Sequence, residues 1–229
     1  MLKVALISRD KASSYEIKDD IKSSGIEITR RNPDCIISYG GDGTFFISER
    51  LYPGVPKVVV KKSQTCKICN TDNVRFILDL LKDKHYKIRK LEKLEASNKN
   101  KKIKAVNDII IKNEYPGEAL RFSLKINNKT YKDLIIGDGL VISTPLGSNA
   151  YFKSITRKTF KNGIGIAFNN TTEKINPLIL NNKDLIEVNI LRNYALLSAD
   201  NDRNIIKTNK TIRIKLSEEK VNIIEFNKH

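Results

Sequence analysis

Gly40-Gly41-Asp42-Gly43-Thr44 follows the apolar run of residues 35–39 and precedes a second apolar run at 45–47. This order indicates a strand, a tight turn and the start of a helix. Glycine has no Cβ, so the three glycines would allow positive φ angles and let backbone N–H groups approach a bulky anion. Thr44 is placed to cap the helix, whose unpaired N–H groups would also favour phosphate. The stretch therefore predicts a phosphate-binding turn.

Asp42 is the unusual member of this turn, because a carboxylate repels phosphate. It would suit a metal ligand, or a base that takes a proton from an attacking hydroxyl. The alternative is an ordinary turn in which Asp-Gly is used because it tolerates positive φ.

Outward from the turn, apolar strands alternate with amphipathic helices. Strands are predicted at residues 2–8, 26–29, 35–39 and 55–60, and helices at 14–24, 45–51 and 73–84. This alternation predicts an N-terminal α/β domain over residues 1–92, with a parallel sheet and right-handed crossovers. Ligands bind beyond the carboxyl ends of such strands, which is where the glycine turn falls.

Beyond about residue 90, period-two alternation dominates, and Asn127-Asn128 is a hairpin signal between two such runs. A β-rich, β-sandwich-like C-terminal domain is predicted over residues 93–212. Residues 213–229 form a tail that either stays in the β half or packs back on the first domain.

The composition describes a soluble globular chain of 229 residues with 42 Lys plus Arg against 26 Asp plus Glu. The net charge of +16 favours anionic partners such as nucleotides. Nucleic acid is not favoured, because the lysines are dispersed and form no aromatic-studded basic stripe. The chain contains no apolar run long enough for a bilayer and no signal-peptide pattern, so we expect a cytoplasmic protein without membrane contact.

The three cysteines, Cys35, Cys66 and Cys69, predict no disulfide framework. The Cys66–Cys69 pair is compatible with zinc binding or redox work, but only His85 and His229 are available as histidine ligands. A Walker-type phosphate loop is excluded, because no glycine is followed by lysine.

Residues 138–151 form a second functional stretch, in which a short apolar strand separates Asp138-Gly139 from Ser143-Thr144-Pro145. A helix opening near Leu146 would offer hydroxyls and backbone donors to a nucleoside, and Tyr151 would offer a ring face. The alternative is an N-capped helix with Tyr151 in the core. Asn107-Asp108 places two adjacent polar groups inside an otherwise apolar strand. Alternation would bury one of them, and a buried polar group requires a partner, either a ligand or a backbone group.

Together these motifs, with Asn176-Pro177-Leu178-Ile179-Leu180, resemble the NAD kinase family in order and spacing over roughly residues 1–216. The glycine cluster alone is shared with diacylglycerol kinases and phosphofructokinases. The resemblance implies phosphorylation of the adenosine 2′-hydroxyl of NAD by ATP or polyphosphate, yielding NADP. It also implies Mg²⁺ or another divalent metal, and a homodimer or homotetramer.

The resemblance also implies roles for individual residues. Asp42 matches the general base, and Asp138 matches an aspartate near the nicotinamide end. The phosphate contacts would be Gly40, Gly41, Gly43 and Thr44. The NAD or NADP contacts would be Asn107, Asp108, Asp138, Ser148, Asn149, Ala150, Tyr151, Ser154 and Asp200.

The chain departs from the family pattern at several positions. Three single residues differ from the family pattern: Asp108 replaces a glutamate, Asn149 replaces a threonine and Leu146 replaces a polar residue. Two segments differ as well: Arg157-Lys158 replaces a glycine pair, and residues 61–65 replace a second glycine-rich segment. Two alternatives remain open: a lipid kinase with the same glycine cluster, and a non-catalytic dinucleotide-binding regulator whose basic charge contacts DNA.

Overall fold

The computed structural model describes residues 1–62, 66, 68–70, 73–99 and 101–226. The chain divides into two compact units. The first unit comprises Met1–Leu91 together with the chain from Lys220 onward, and the second unit is Glu92–Glu219. The chain thus returns to the first unit after Glu219, later than the expected boundary at residue 212.

The first unit is built on a six-stranded sheet with strand order β2-β1-β3-β4-β18-β5. Only the β18–β5 pair is antiparallel; the other neighbours are parallel. The strands are β1 (Lys3–Ser8), β2 (Glu27–Ile28), β3 (Cys35–Gly40), β4 (Lys57–Lys61), β5 (Lys87–Leu91) and the last strand of the chain, β18 (Val221–Glu225). The helices are α1 (Lys11–Ser23), α2 (Asp42–Leu51) and α3 (Val74–Lys82).

The burial of these strands and helices matches their sequence patterns. All six residues of β3 are buried, as expected for a parallel strand covered on both faces. α1 buries Ile17 and Ile21 and is capped by Asp10, whose carboxylate accepts the Ser13 N–H at 2.8 Å. The predicted α/β unit with a parallel sheet is confirmed.

The second unit contains two six-stranded sheets, ordered β10-β9-β14-β17-β6-β7 and β13-β12-β11-β8-β15-β16. One apolar cluster draws residues from both sheets, among them Phe122 of the first and Ile166 of the second. This is a β-sandwich-like arrangement, as predicted. The strands are β6 (Leu94–Asn98), β7 (Lys101–Ala105), β8 (Asp108–Asn113), β9 (Leu120–Ile126), β10 (Lys129–Gly137), β11 (Gly139–Ser143), β12 (Ile164–Asn169), β13 (Leu178–Leu180), β14 (Ile186–Arg192), β15 (Ala195–Ala199), β16 (Ile206–Thr208) and β17 (Ile212–Leu216). A 3₁₀ turn (Gly147–Asn149) leads into the short helix α4 (Tyr151–Thr156).

The Asn127-Asn128 hairpin is confirmed. Both residues have positive φ, 52° and 65°, and join β9 to β10. Within the described ranges, every helix is too short or too polar to cross a membrane.

Candidate functional site

The glycine turn lies where β3 ends at Gly40 and α2 begins at Asp42, with Gly41 as the N-cap residue. The helix therefore starts earlier than the predicted residue 45. Thr44 sits inside the first helical turn and is buried, so the prediction that it caps the helix is wrong. The expected positive φ angles are also absent from these three described glycines.

Gly40 allows the first turn of α2 to lie close to the end of β3. A Cβ on Gly40 would lie 2.2 Å from the Thr44 Oγ1 atom and 2.9 Å from its Cβ. The missing side chain lets the first turn of α2 fold tightly onto the end of β3. A helix N-terminus at the carboxyl end of a parallel strand is a favourable place for an anion.

Asp42 is partly exposed in the first turn of α2 and lies beside a disulfide. Cys66 and Cys69 form that disulfide, so the prediction that the cysteines are not paired in disulfides is wrong for these two. Cys66 Sγ lies 3.3 Å from Asp42 Oδ1, and Cys69 Sγ lies 3.7 Å from the Gly40 carbonyl oxygen. Both are contacts rather than hydrogen bonds, because a disulfide sulfur has no proton to donate. Residues 63–65 belong to the segment that differs from the family's second glycine-rich segment, and they lie outside the described residues.

Lys62 is a cation beside the turn that sequence reasoning did not single out. Its backbone N–H donates to the Gly40 carbonyl at 3.0 Å. Its ammonium group donates to the Glu16 carboxylate at 2.7 and 2.6 Å. This contact raises the pKa of Lys62 and lowers the pKa of Glu16. The available signal was its place in residues 61–65, where the chain departs from the family's second glycine-rich segment.

In the second unit, Asn107 precedes β8 and Asp108 is its buried first residue, paired with Ser143 of β11. Asn107 therefore lies outside the strand and not inside it as predicted, and Asp108 is the buried member of the pair. Asn107 Oδ1 is buried and has no hydrogen-bond partner among the described residues. Such an atom is costly unless a ligand supplies a donor.

Thr144 connects Asn107 to the Ser-Thr-Pro turn. Its N–H donates to the Asn107 carbonyl at 2.9 Å, and its hydroxyl donates to the Val106 carbonyl at 2.7 Å. Gly147 packs against the same backbone, because a Cβ there would lie 2.3 Å from the Asn107 carbonyl oxygen. The two predicted motifs of the second unit are thus in direct contact.

Ser148 has a structural role. Its side chain is fully buried, and its hydroxyl contacts the carbonyl oxygens of Pro145 and Phe160 at 2.8 and 3.1 Å. It accepts the Phe160 N–H at 3.3 Å as well. The hydroxyl is therefore occupied within the fold, and the contact of Ser148 with the dinucleotide stays a prediction.

Three predicted contacts, Asn149, Ala150 and Ser154, line an open cavity of about 360 Å³ with Lys153 and Arg157. The two cations were not predicted as contacts. Arg157 ends α4 in the left-handed region, with φ 60°, a conformation that favours glycine. The left-handed conformation is consistent with a position where the family has a glycine pair. The replacement of that pair by Arg157-Lys158 was the sequence feature that could have pointed to Arg157.

Tyr151 and Asp138 are both half-buried. Tyr151 packs against a small cluster formed by Val141, Phe152 and Ala167 but stays partly exposed, and α4 has no side-chain N-cap, so the alternative of a capped helix with Tyr151 in the core is only partly met. Its hydroxyl oxygen lies 3.5 Å from Asn169 Nδ2. Asp138 lies where the chain passes from β10 in one sheet to β11 in the other.

The structure groups the predicted residues in two sets. Asp42 and the glycine turn belong to the first unit. The second unit holds the Asn107-Asp108 segment, which accepts a hydrogen bond from the Thr144 N–H and donates two to the Asp200 carboxylate. In the described part of the chain, no cluster of three or more His, Cys, Asp or Glu residues could hold a metal ion.

Known proteins are similar to this chain in sequence or in fold. A family model described as the ATP-NAD kinase C-terminal domain matches residues 106–226. The NAD kinase of Sulfurisphaera tokodaii is 33% identical over 194 residues, which cover 81% of this chain and 74% of that protein.

Two solved structures share the fold at low sequence identity. The Archaeoglobus fulgidus NAD kinase, solved in complex with ATP, superposes with a TM-score of 0.85 at 19% identity, covering 98% of this chain and 94% of that one. Yeast NADH kinase, solved with NADH, gives a TM-score of 0.85 at 14% identity, covering 99% and 84%. From the family model and the sequence identity, this chain belongs to the NAD kinase family.

Proposed function

We propose that this protein transfers a phosphoryl group from ATP to the adenosine 2′-hydroxyl of NAD, producing NADP. Membership of the NAD kinase family supports phosphoryl transfer, and the structure of a protein with the same fold has been solved in complex with ATP. The observation that carries the proposal is the Asp42 carboxylate in the first turn of α2, directly after β3.

In this proposal the N-terminus of α2 attracts phosphate oxygens through its backbone N–H groups and dipole. Asp42 accepts the proton of the 2′-hydroxyl as its oxygen attacks the terminal phosphorus. A simple binder would gain nothing from a carboxylate beside phosphates, which is why Asp42 favours a kinase.

A divalent metal such as Mg²⁺ would neutralise phosphate charge when bound. The described residues offer no cage of three or more ligating side chains, and Mg²⁺ commonly binds through substrate phosphates and one or two carboxylates. With Asp42 acting as the base, the triphosphate oxygens would supply most of the metal's ligands. The residues therefore fit a metal that enters with the triphosphate.

In the second unit, Asn107 Oδ1 would accept a hydrogen bond from a nucleoside donor, which would satisfy its buried oxygen. Asp108, Asn149 and Ser154 stay proposed contacts. Lys153 and Arg157 add positive charge suited to the phosphates of a dinucleotide. The expected contact by Asp138 near the nicotinamide end stays a prediction.

Incubation of the purified protein with NAD, ATP and Mg²⁺, followed by enzymatic detection of NADP, tests the proposal. Asp42→Asn should lower turnover at least about 100-fold, because it removes the base, with little change in NAD affinity. Asp10→Asn is the matched control in the same unit, since asparagine also caps helices well and should leave turnover unchanged.

Wild-type protein that binds NAD without making NADP would favour the dinucleotide-binding regulator. Near-normal turnover by Asp42→Asn would refute the base assignment. Phosphorylation of diacylglycerol in place of NAD would favour the lipid kinase.

Four assays, pairing ATP or polyphosphate with NAD or NADH, would identify the donor and the acceptor. The cytoplasmic location and the homodimeric or homotetrameric assembly stay predictions from the sequence.

A further inference from the structure

Three consecutive backbone N–H groups converge on the carboxylate of Asp200. Val106 N donates to Oδ2 at 2.8 Å, Asn107 N donates to Oδ1 at 2.7 Å, and Asp108 N donates to Oδ1 at 3.2 Å. In return, the Asp200 N–H donates to the Asp108 carbonyl at 2.9 Å. One residue therefore holds this segment through four hydrogen bonds.

The segment needs such an anchor because Val106 and Asn107 lie where the chain passes from β7 in one sheet to β8 in the other, outside the hydrogen-bonded pairing of either strand. Backbone N–H groups in a buried bend require acceptors. A carboxylate accepts several of them strongly, because hydrogen bonds to a charged acceptor are stronger than neutral ones.

Asp200 reaches this position through its backbone. It directly follows β15, whose Ala199 pairs with Ile109 of β8, so the two strands deliver it beside the bend. Its φ of 48° lies in the left-handed region, which aspartate tolerates better than most residues. The strand pairing and the left-handed turn together place the carboxylate against the bend at Val106 and Asn107.

The opposite side of the segment is held by Thr144, which donates to the carbonyls of Val106 and Asn107. Asp200 fixes the N–H groups and Thr144 fixes the carbonyls. The backbone of Asn107 is thus held from two directions, while its side-chain Oδ1 is buried without a described partner. A rigid backbone with an unsatisfied buried acceptor is an arrangement prepared for a ligand donor.

We propose that Asp200 is a positioning residue and not itself a dinucleotide contact: its carboxylate holds Asn107 and Asp108 in the orientation that binds the nucleoside. This inference rests on the proposed function. It replaces the prediction that Asp200 contacts NAD or NADP directly.

Two variants separate positioning from contact. Asp200→Gly removes the carboxylate without a backbone penalty at positive φ. Asp200→Asn keeps one oxygen for the Asn107 and Asp108 N–H groups but places an amide opposite the Val106 N–H. We expect the dissociation constant for NAD, measured by calorimetry, to rise at least about tenfold in Asp200→Gly and less in Asp200→Asn. With NAD saturating, kcat should change less than about threefold in both variants.

Asp184→Gly is the matched control. Asp184 anchors another turn of the same unit, accepting the Asn181 N–H at 2.8 Å and the Asn127 Nδ2 at 2.8 Å. The Asp184→Gly variant should have a lower melting temperature than the wild type and an unchanged affinity for NAD. An equal loss of NAD affinity in this control would mean that Asp200 acts through general stability, which would overturn the proposal.

Amide hydrogen exchange gives a readout that needs no activity. Asp200→Gly should accelerate exchange at Val106 and Asn107 at least about tenfold relative to amides in the β9–β10 hairpin. Unchanged protection there, or unchanged NAD affinity with a large loss of kcat, would overturn the positioning role. Absence of NADP formation by wild-type protein would instead refute the proposed function, and the exchange result would still test the anchor.

Discussion

Cys66 Sγ lies 3.3 Å from Asp42 Oδ1, and the same sulfur is bonded to Cys69. In the disulfide this sulfur cannot donate a hydrogen bond to the carboxylate. After reduction the Cys66 thiol could donate one, which would stabilise the charged carboxylate and weaken it as a base. The oxidation state of this pair therefore bears on the chemistry proposed for Asp42.

We expect Cys66→Ser to have a kcat about threefold to tenfold below that of Cys66→Ala. Both variants lack the disulfide, but only serine can donate to Asp42. The comparison thus isolates the hydrogen bond from the loss of the cross-link. Cys69→Ala also removes the cross-link but frees the Cys66 thiol as a weak donor, so its kcat should lie between those of the serine and alanine variants. Equal kcat values for the serine and alanine variants would show that this contact does not influence turnover.

The three cysteines should differ in reactivity. Cys35 is 2% exposed, and burial raises the pKa of its thiol to about 12, so it forms almost no thiolate near neutral pH. Native protein should take up no iodoacetamide at pH 8, and gentle reduction should release two reactive thiols, counted by mass spectrometry. Two labelled cysteines before reduction would contradict the disulfide.

Gly147→Ala should disturb the nucleoside-binding segment. The added Cβ would meet the Asn107 carbonyl oxygen at 2.3 Å, and backbone cannot move aside cheaply. We expect unfolding free energy to fall by about 1–3 kcal/mol and the dissociation constant for NAD to rise severalfold. Urea denaturation and calorimetry would measure the two effects.

Gly117→Ala is the control for Gly147→Ala, because no described atom lies within 4 Å of a Cβ at Gly117. Its stability should change by less than about 0.5 kcal/mol. Normal NAD affinity in Gly147→Ala would show that the Asn107 backbone tolerates displacement.

The ion pair between Lys57 and Glu49 is buried, with side-chain exposures of 0% and 4%. Lys57 Nζ also donates to the Tyr52 carbonyl at 2.6 Å. Lys57→Met should destabilise the protein by about 3–5 kcal/mol, because it leaves the Glu49 carboxylate buried without its cation. The double variant Lys57→Met/Glu49→Leu should recover much of this loss in urea denaturation.

The exposed pair Arg89–Glu225 is the comparison for Lys57–Glu49. Arg89→Ala should cost no more than about 1 kcal/mol, since water screens exposed charges. A Lys57→Met variant as stable as the wild type would refute the buried-pair argument.

Local patterns in the sequence predicted the elements and the location of the chemistry. Apolar runs and helical spacing identified most of the first unit, because burial on two faces or on one stripe leaves a periodic signature. Asn127-Asn128 predicted its hairpin because both residues tolerate positive φ. Gly40–Thr44 was recognisable as the end of a strand and the start of a helix, although the reason for Gly40 was wrong.

The tertiary structure alone decided how the candidate residues are held. Asp200 and Asn107 are 93 residues apart, and only the pairing of β15 with β8 brings them together. Ser148 is buried against Phe160 by packing that its neighbours in sequence do not encode. The sequence by itself determined which segments form strands and turns, because those depend on nearby residues. Which side chain anchors a bend and which faces a ligand depends on contacts between distant segments, and these exist only after the sheets have formed.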